Sequence, residues 1–392
     1  MFIRILLFTN WGTSIRYTVE AILSEAGVTR LETAWNQLSS TAEHPNVFMT
    51  YDWFRIWSKR SVQENRKGHF RPHVLVLKED ETVVGIVPLV RHQSSFRHLR
   101  MRRLEFSTSH ADYNDVVLGR DTAGQTMVML EFLARTPEQW DLVELRDLRD
   151  TGDTIAHIKD ALARTDLIYR LFPENGRCPQ MSIDGSWPEI LSRRSSATRH
   201  TFRNQQSRLN RMISDGLRVR IIDCPQEEPG LLDKMIAVEA QKRVSGKSLI
   251  PVLGYYPDAF RSMFETLGPK GWLCIAAVEL KDRLLAWQLL FRCGEKLWGY
   301  LTAYDNEFSR LSPSSMLMPA VVDYGFSCGY TEYDFLRGEE PYKLRWATGF
   351  HQTYRLLIWN RRWMSRLRAN AYLRFRVRNS MSAMAEPRVE SV

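Results

Sequence analysis

The stretch 331-TEYDFLRGEEPYKLRWATGF-350 places Asp334, Glu340, Tyr342 and Lys343 close together in sequence. Carboxylates take up protons or anchor cationic groups, a phenol gives up a proton, and an ammonium stabilises an anion or a developing negative charge. Tyr333-Asp334-Phe335-Leu336 reads as a short buried strand running out into the charged turn Arg337-Gly338-Glu339-Glu340-Pro341. A solvated loop is the other account of such a turn. The choice between surface charge and chemistry rests on the elements that carry it.

Those elements are clearest in the second half of the chain. Leu217–Cys224 reads as a strand, 231–244 and 256–267 as helices, and 272-WLCIAAVEL-280, 284-LLAWQLLFRC-293 and 296-KLWGYLTAY-304 as three consecutive strands. A polar loop from Asp305 to Pro313 leads into a helix from Ser314, followed by the strand 333–336 and a closing strand 351–359. This order predicts a mixed β-sheet with helices on its faces, an α/β (α+β) fold. The first half repeats part of it: a hairpin over 73–90, a strand at 111–119, a helix over 123–135, and Asp141–Leu145 as the counterpart of Tyr333–Leu336. Residues 1–30 are only weakly patterned. Between Leu171 and Pro188 the pattern is interrupted by Pro173, Gly176, Pro179, Gly185 and Pro188, and the arginine-rich segment 191–213 then suits a long exposed helix. For a chain of 392 residues, long for one domain, the expected division is an N-terminal extension (1–44), a first domain (45–185), a second domain (186–360) and a basic tail (361–392).

Composition narrows the function classes. At 44% hydrophobic and 25% charged the chain is neither disordered nor fibrous, and no apolar run approaches the ~18 residues of a membrane span. The apolar start, Phe2–Phe8, is too short for a signal peptide, so a cytoplasmic location is expected. Five cysteines without a CxxC pair argue against a disulfide framework or a zinc site. His69 and His73 lie four apart with Pro72 between them and no acidic or thiol partner near, so no metal is expected. Glycine-rich nucleotide loops are absent, as is any Ser/His/Asp order or nucleophilic cysteine that would point to a covalent intermediate.

The net charge of +9 is unevenly placed. Lys343, Arg345, Arg355, Arg361, Arg362, Arg366, Arg368, Arg374, Arg376 and Arg378 meet no Asp or Glu between Pro341 and Ala385, and Leu191–Arg220 holds a second arginine cluster. Such patches attract phosphates, whether of a nucleotide, a nucleic acid or a lipid headgroup. Read as a helix, Trp359–Asn379 puts Trp359, Trp363, Leu367 and Ala371 on one stripe flanked by arginines. That stripe either packs on the second domain or serves an anionic partner, an inner-membrane surface or tRNA; no DNA partner is expected.

The order of elements, the loop 304-YDNEFSRLSPSSML-317 and the run 334-DFLRGEEPYKLRW-346 resemble the GNAT-type domain of the CelD-like proteins, which occur with exopolysaccharide and cellulose synthesis genes. The same tandem-GNAT architecture is shared with the Fem-type aminoacyl transferases that build peptidoglycan cross-bridges. Segment 199-RHTFRNQQSRLNRMISDG-216 also resembles the helix preceding the family's second domain. The resemblance implies tandem GNAT-like domains and an acyltransferase that takes acetyl-CoA or another acyl-CoA as co-substrate. It would act on an amine or hydroxyl of a small-molecule or glycan precursor. The acyl donor would sit in a gap between strands 296–304 and 333–336, with Tyr304, Arg310, Ser312, Ser314 and Ser315 around its phosphates. The family's phosphate loop is Q/R-x-x-G-x-G/A; here Arg310 matches and both glycines are missing. By the same resemblance Lys343 would stabilise the oxyanion or hold donor phosphates, Asp334 and Glu340 would serve as base or acceptor anchor, and Tyr342 would protonate the leaving thiolate. Two other readings stay open: an aminoacyl-tRNA-dependent transferase of the Fem type, and a catalytically idle scaffold accessory to exopolysaccharide synthesis.

Overall fold

The computed structural model describes residues 2–8, 16–42, 44–64, 70–96, 99–107, 110–119, 121–149, 154–174, 176–241 and 252–374. The chain forms two compact units: Met1–His44 with Phe48–Glu174 and Thr353–Val392, and Pro45–Val47 with Asn175–Gln352. Among the described residues no helix is long and apolar enough to cross a membrane.

The first unit holds two sheets. One has the order β1 (Phe2–Phe8), β2 (Arg16–Ile22), β4 (Val74–Glu79), β5 (Thr82–Val87), β8 (Val117–Leu118), antiparallel throughout. The other has the order β10 (Ile168–Pro173), β18 (Thr353–Trp359), β9 (Leu142–Arg149), β7 (Leu99–Phe106), β6 (Leu89–Phe96), β3 (Phe70–Pro72). Helices Thr122–Arg135 and Thr154–Ala163 bury Val128, Phe132, Ile158 and Leu162 against strand residues Val19, Leu75, Leu104 and Val143. Residues 2–8 and 16–22, weakly patterned in sequence, thus form a strand pair.

The second unit is built on one seven-stranded sheet, order β12 (Leu217–Ile222), β13 (Leu273–Leu280), β14 (Arg283–Cys293), β15 (Lys296–Tyr304), β16 (Glu332–Asp334), β11 (Cys178–Ser182), β17 (Gly349–His351). Strands β13 and β14 are buried along almost their whole length, which is why their sequences read as continuous apolar runs. Helix Leu317–Ser327 packs Leu317, Val321 and Val322 onto this sheet, and Trp187, Phe202 and Trp346 close one edge of the core with ring centroids 4.9 to 5.9 Å apart.

The observed units differ from the expected division. Arg16–Ile22 of the expected N-terminal extension pairs with β4 inside the first unit, and helix Trp363–Tyr372 of the expected tail is bonded to Asp141 and Glu144 of that unit. Strand β18 does not close the second domain. It pairs with β9 and β10, and sends Leu356 and Ile358 into the core of the first unit. Strand β11 lies in a segment that reads as a boundary because of its prolines, yet it inserts between β16 and β17, with the Pro179 carbonyl accepting from the Phe335 N–H. The arginine-rich segment is two helices, Trp187–Ser192 and Ser196–Asn210, interrupted at 193–195. Ser186 and Glu189 cap the first reciprocally, and the Ser195 hydroxyl caps the second. Nor are the basic clusters free surfaces throughout. Arg355 is buried and paired with Glu174, Arg368 with Asp141, and Arg220 with Glu279 and Glu228.

His69 lies outside the described residues. His73 is 1% exposed, its Nδ1 has no hydrogen-bond partner, and burial, reinforced by the charge of Arg91, pushes its pKa down to about 4. It is therefore neutral in the fold, while the unfolded chain takes up its proton near pH 6.5. This contribution to stability is complete above about pH 6.5 and falls as pH drops toward 4, by up to about 3 kcal/mol. Thermal unfolding of the wild type and His73→Leu should show it. The pH 7.5-to-5 drop in Tm is expected to be smaller in the variant, and equal drops would mean that His73 does not couple folding to pH.

Candidate active site

The site is built where two neighbouring strands part. β15 and β16 run parallel and pair over three positions only, Lys296↔Glu332, Leu297↔Tyr333 and Trp298↔Asp334. Beyond Trp298, β15 continues to Tyr304 along β14, while β16 stays with β11 through Gln180↔Asp334 and the Phe335 N–H. The fork expected between 296–304 and 333–336 therefore opens at Gly299. A register shift opposite Leu289/Leu290 leaves Tyr300 as the extra residue of a β-bulge in β15, which bends the strand at the same point.

Gly299 is what lets the fork close at its base. A Cβ there would lie 2.0 Å from the Tyr333 hydroxyl and 3.1 Å from Gln288 Nε2. Instead the hydroxyl crosses over β15 and accepts from Gln288 Nε2 at 2.6 Å. Tyr333 is fully buried, and burial holds its pKa well above that of a free tyrosine, so it stays protonated. Sequence reading passed over Gly299 and Tyr333. The available signal was a glycine inside an otherwise unbroken strand, which marks a close approach of another group.

On the β16 side the charged turn is held together internally. Asp334 is fully buried, and its Oδ1 accepts from the Leu336 N–H at 2.7 Å, fixing the turn through Leu336 at φ +56°. Lys343 lies on the short helix Pro341–Trp346, buried. Its Nζ donates to the Arg337 carbonyl at 2.8 Å and sits 3.0 Å from Glu340 Oε2. Lys343 and Glu340 thus close the turn Arg337–Glu340 from below. Tyr342, 45% exposed, has its pKa raised by desolvation around the hydroxyl and by the Glu340 charge. Asp334, Glu340 and Lys343 are brought into one turn, and Tyr342 lies on its outer side.

The expected donor-binding residues lie on the other arm. Tyr304 ends β15, 39% exposed; Arg310 is exposed on the 3-10 turn Asn306–Leu311, and a second such turn, Pro313–Met316, carries Ser314 and Ser315. The helix expected from Ser314 starts at Leu317 instead, because Pro313 and the left-handed Ser312 (φ +51°) set up the second turn first. Ser312 here supplies the backbone conformation for which glycine is usually needed. The Ser315 hydroxyl is buried without a hydrogen-bond partner, and the Ser315 carbonyl meets Gln206 Nε2 from helix Ser196–Asn210 at 3.5 Å. Asp305, buried, anchors the loop by accepting from the Glu307 N–H and Arg283 Nε.

Glu332, Asp334 and His351 place one possible ligand atom each within 4.8 Å of one another, a set that could hold a metal ion. Lys296 Nζ, 2.9 Å from Glu332 Oε1, already supplies a positive charge to this group. At the other end of the sheet an open cavity of about 660 Å³ is lined by Asp223, Arg292, Tyr324 and Tyr330 among others. It was not foreseen from the sequence.

Two substitutions test the geometry. Gly299→Ala should separate Tyr333 from Gln288 and wedge the base of the fork, lowering stability by roughly 2–4 kcal/mol and weakening donor binding. A variant with wild-type Tm would mean that the close approach is not a constraint. Lys343→Ala removes the bond from the ammonium to the Arg337 carbonyl and should cost about 1–3 kcal/mol, seen as a lower Tm. A Lys343→Ala protein with wild-type Tm and no transfer activity would instead assign the ammonium to the chemistry.

Residues 196–344 match the family model described as an acetyltransferase (GNAT) domain. No curated protein matches the chain in sequence. Among solved structures, FemX superposes with a TM-score of 0.56 at 11% identity, over 83% of this chain and 95% of FemX. The C-terminal domain of a protein assigned as a lysylphosphatidylglycerol synthetase from Agrobacterium fabrum gives 0.55 at 11% identity, over 88% and 96% of the two chains. A conserved protein of unknown function from Bacteroides thetaiotaomicron gives 0.53 at 9%, over 86% and 99%. At such identities the likeness is one of fold. The second unit thus carries a GNAT acetyltransferase domain at residues 196–344, which makes the chain an acyltransferase.

Proposed function

We propose that this protein moves an acyl group from acetyl-CoA or another acyl-CoA to an amine or hydroxyl of a polysaccharide or cell-envelope precursor, in the manner of the CelD-like proteins it resembles. The observation that carries the reading is the fork itself. From Gly299 on, β15 leaves its pairing with β16 and continues along β14, inside the segment that matches the GNAT domain. The gap opened by two parting strands can take the amide-bearing arm of an acyl thioester against strand backbone. The loop beyond Tyr304 offers the exposed Arg310 and the unpartnered Ser315 hydroxyl, both suited to phosphate, ahead of the N-terminus of helix Leu317–Ser327. On the opposite arm Asp334 is the buried carboxylate nearest the base of the fork, a candidate base or anchor for the acceptor. Tyr342, partly exposed and held protonated, is a candidate acid for the leaving thiolate.

One observation favours a second donor. Pro313 stands where the phosphate loop of acyl-CoA enzymes has glycine, and its ring and missing N–H remove one close backbone contact to pyrophosphate. An aminoacyl-tRNA donor, as in the Fem-type enzymes, does not need that contact.

Thermal unfolding in the presence of acetyl-CoA, free CoA and aminoacyl-tRNA separates the readings. A ligand at a hundred times its Kd stabilises by about 2.7 kcal/mol, so acetyl-CoA and CoA should raise Tm by several degrees, and Gly299→Ala should abolish the shift. A shift with charged tRNA alone would move the assignment to the second donor. No shift with any of them would leave a scaffold without donor binding.

A further inference from the structure

Helix Trp363–Tyr372 turns its face the opposite way from the stripe anticipated in the sequence. Trp359 is not on the helix; it is buried at the end of β18. The helix packs inward through Ser365, Ala369 and Tyr372, all buried. That inner face is fastened by polar bonds: the Ser365 hydroxyl donates to Asp141 Oδ1 at 3.0 Å, Arg368 Nη1 to the same oxygen at 2.8 Å, and the Tyr372 hydroxyl to Glu144 Oε2 at 2.7 Å. Asp141 and Glu144 are themselves buried and shared with Arg102 and Arg103. The helix therefore has one fixed orientation on the sheet of the first unit.

With the inner face fixed, Trp363 and Leu367 point outward, one turn apart, 74% and 50% exposed. Arg366 and Arg374 share the outward side by the 100° step of the helix, and Arg362 precedes it; all three are exposed. Between Trp359 and Ala385 the sequence has no acidic residue. An exposed tryptophan and leucine set among arginines has the composition of an interfacial surface. An indole prefers the headgroup boundary, and arginines keep their charge at lipid phosphates while their stems lie along apolar surface. Bases would stack on the tryptophan as well, but the exposed leucine beside it gains from an acyl-chain boundary and not from bases or phosphates.

We propose that the outward face of helix Trp363–Tyr372 docks the protein on an anionic phospholipid surface, with Trp363 and Leu367 inserted at headgroup depth and Arg362, Arg366 and Arg374 on the lipid phosphates. This docking is independent of the donor assignment above. It would bring a cytoplasmic enzyme to the inner-membrane surface, where cell-envelope precursors are built.

The test uses the full chain and sedimentation with vesicles of phosphatidylcholine alone or mixed with phosphatidylglycerol. Co-sedimentation is expected with the mixed vesicles only. It should fall steeply between 0.1 M and 1 M salt, as the Debye length drops from about 10 Å to about 3 Å. Trp363→Ser combined with Leu367→Ser should weaken it by at least about tenfold, and Arg362→Gln with Arg366→Gln should weaken it and flatten the salt dependence. All four side chains are exposed, so unchanged circular dichroism and Tm are expected and separate lost docking from lost folding. Equal binding to both vesicle types, or undiminished binding by the Trp363/Leu367 variant, would overturn the proposal. So would tRNA binding, or a concentration-dependent dimer, that the same variant loses while vesicles are never bound.

Discussion

The fold of the second unit turns on one contact, the Tyr333 hydroxyl lying across the backbone of Gly299 to reach Gln288. Parallel strands joined over three positions would ordinarily either continue their ladder or slip. Here the side chain of one strand occupies the space above the other where the ladder ends, and no residue with a Cβ fits beneath it. The bulge at Tyr300 then bends β15 along β14, while β16 follows β11. Burial of β13 and β14 on both faces supplies a rigid sheet against which this divergence can persist. The fork and the charged turn both descend from that parting: one is the gap between the strands, the other the chain leaving its base.

The charged turn shows how ionisable groups can be both structural and poised. Asp334 spends one oxygen on the Leu336 amide, and its other oxygen lies 3.9 Å from His351 Nε2. Lys343 spends its ammonium on the Arg337 carbonyl and on Glu340. Breaking either bond would cost about 1–3 kcal/mol, so the turn keeps its shape without a ligand. A preorganised turn is what charge stabilisation during a reaction requires, since nothing needs to reorient as charge develops. Structural and chemical roles of the same lysine are therefore not exclusive; they differ in whether stability or turnover responds when it is removed.

Much of this was legible in the sequence, for definable reasons. Strands β13, β14 and β15 were recovered nearly to the residue because they are long, apolar and bounded by tight turns. The fork between these strands came from the resemblance to the GNAT-type domain, since residue pattern alone says where the strands lie and not where two of them part. What escaped were features set by tertiary partners. Pro173 and Pro179 read as breaks, yet both lie within strands, β10 and β11. The apolar alternation of β18 marks it as a strand but cannot say which sheet it joins. Trp363 and Leu367 looked like a packing stripe because they are apolar at helical spacing. The burial of Ser365, Ala369 and Tyr372 instead is decided by Asp141 and Glu144, more than 200 positions away in sequence. Gly299 carries its meaning only once Tyr333 is seen above it.

The two units share more than an element order, and the comparison explains why one of them carries the groove. In the first unit β7 and β9 also run parallel over three pairs, Arg103↔Leu142 to Glu105↔Glu144, as β15 and β16 do in the second. The strand beside each parallel pair arrives from chain that follows the other unit: β18 comes after β17 and lies next to β9, while β11 comes after β10 and lies next to β16. At the point of parting the two diverge. In the first unit Asn114 returns to the edge of β9, bridging Leu148, donating its N–H to the Asp147 carbonyl at 2.8 Å and its side-chain amide to Arg146, and accepting from the Arg149 N–H. That edge is satisfied by the protein's own backbone and has no amide to offer an extended ligand there. In the second unit the loop after β15 leads away into 3-10 turns, and from Gly299 onward β15 no longer pairs with β16. Two similar strand arrangements thus become different through one return of the chain: a loop bridges to the edge of β9 beside its parallel pair, and no such bridge follows β15 among the described residues.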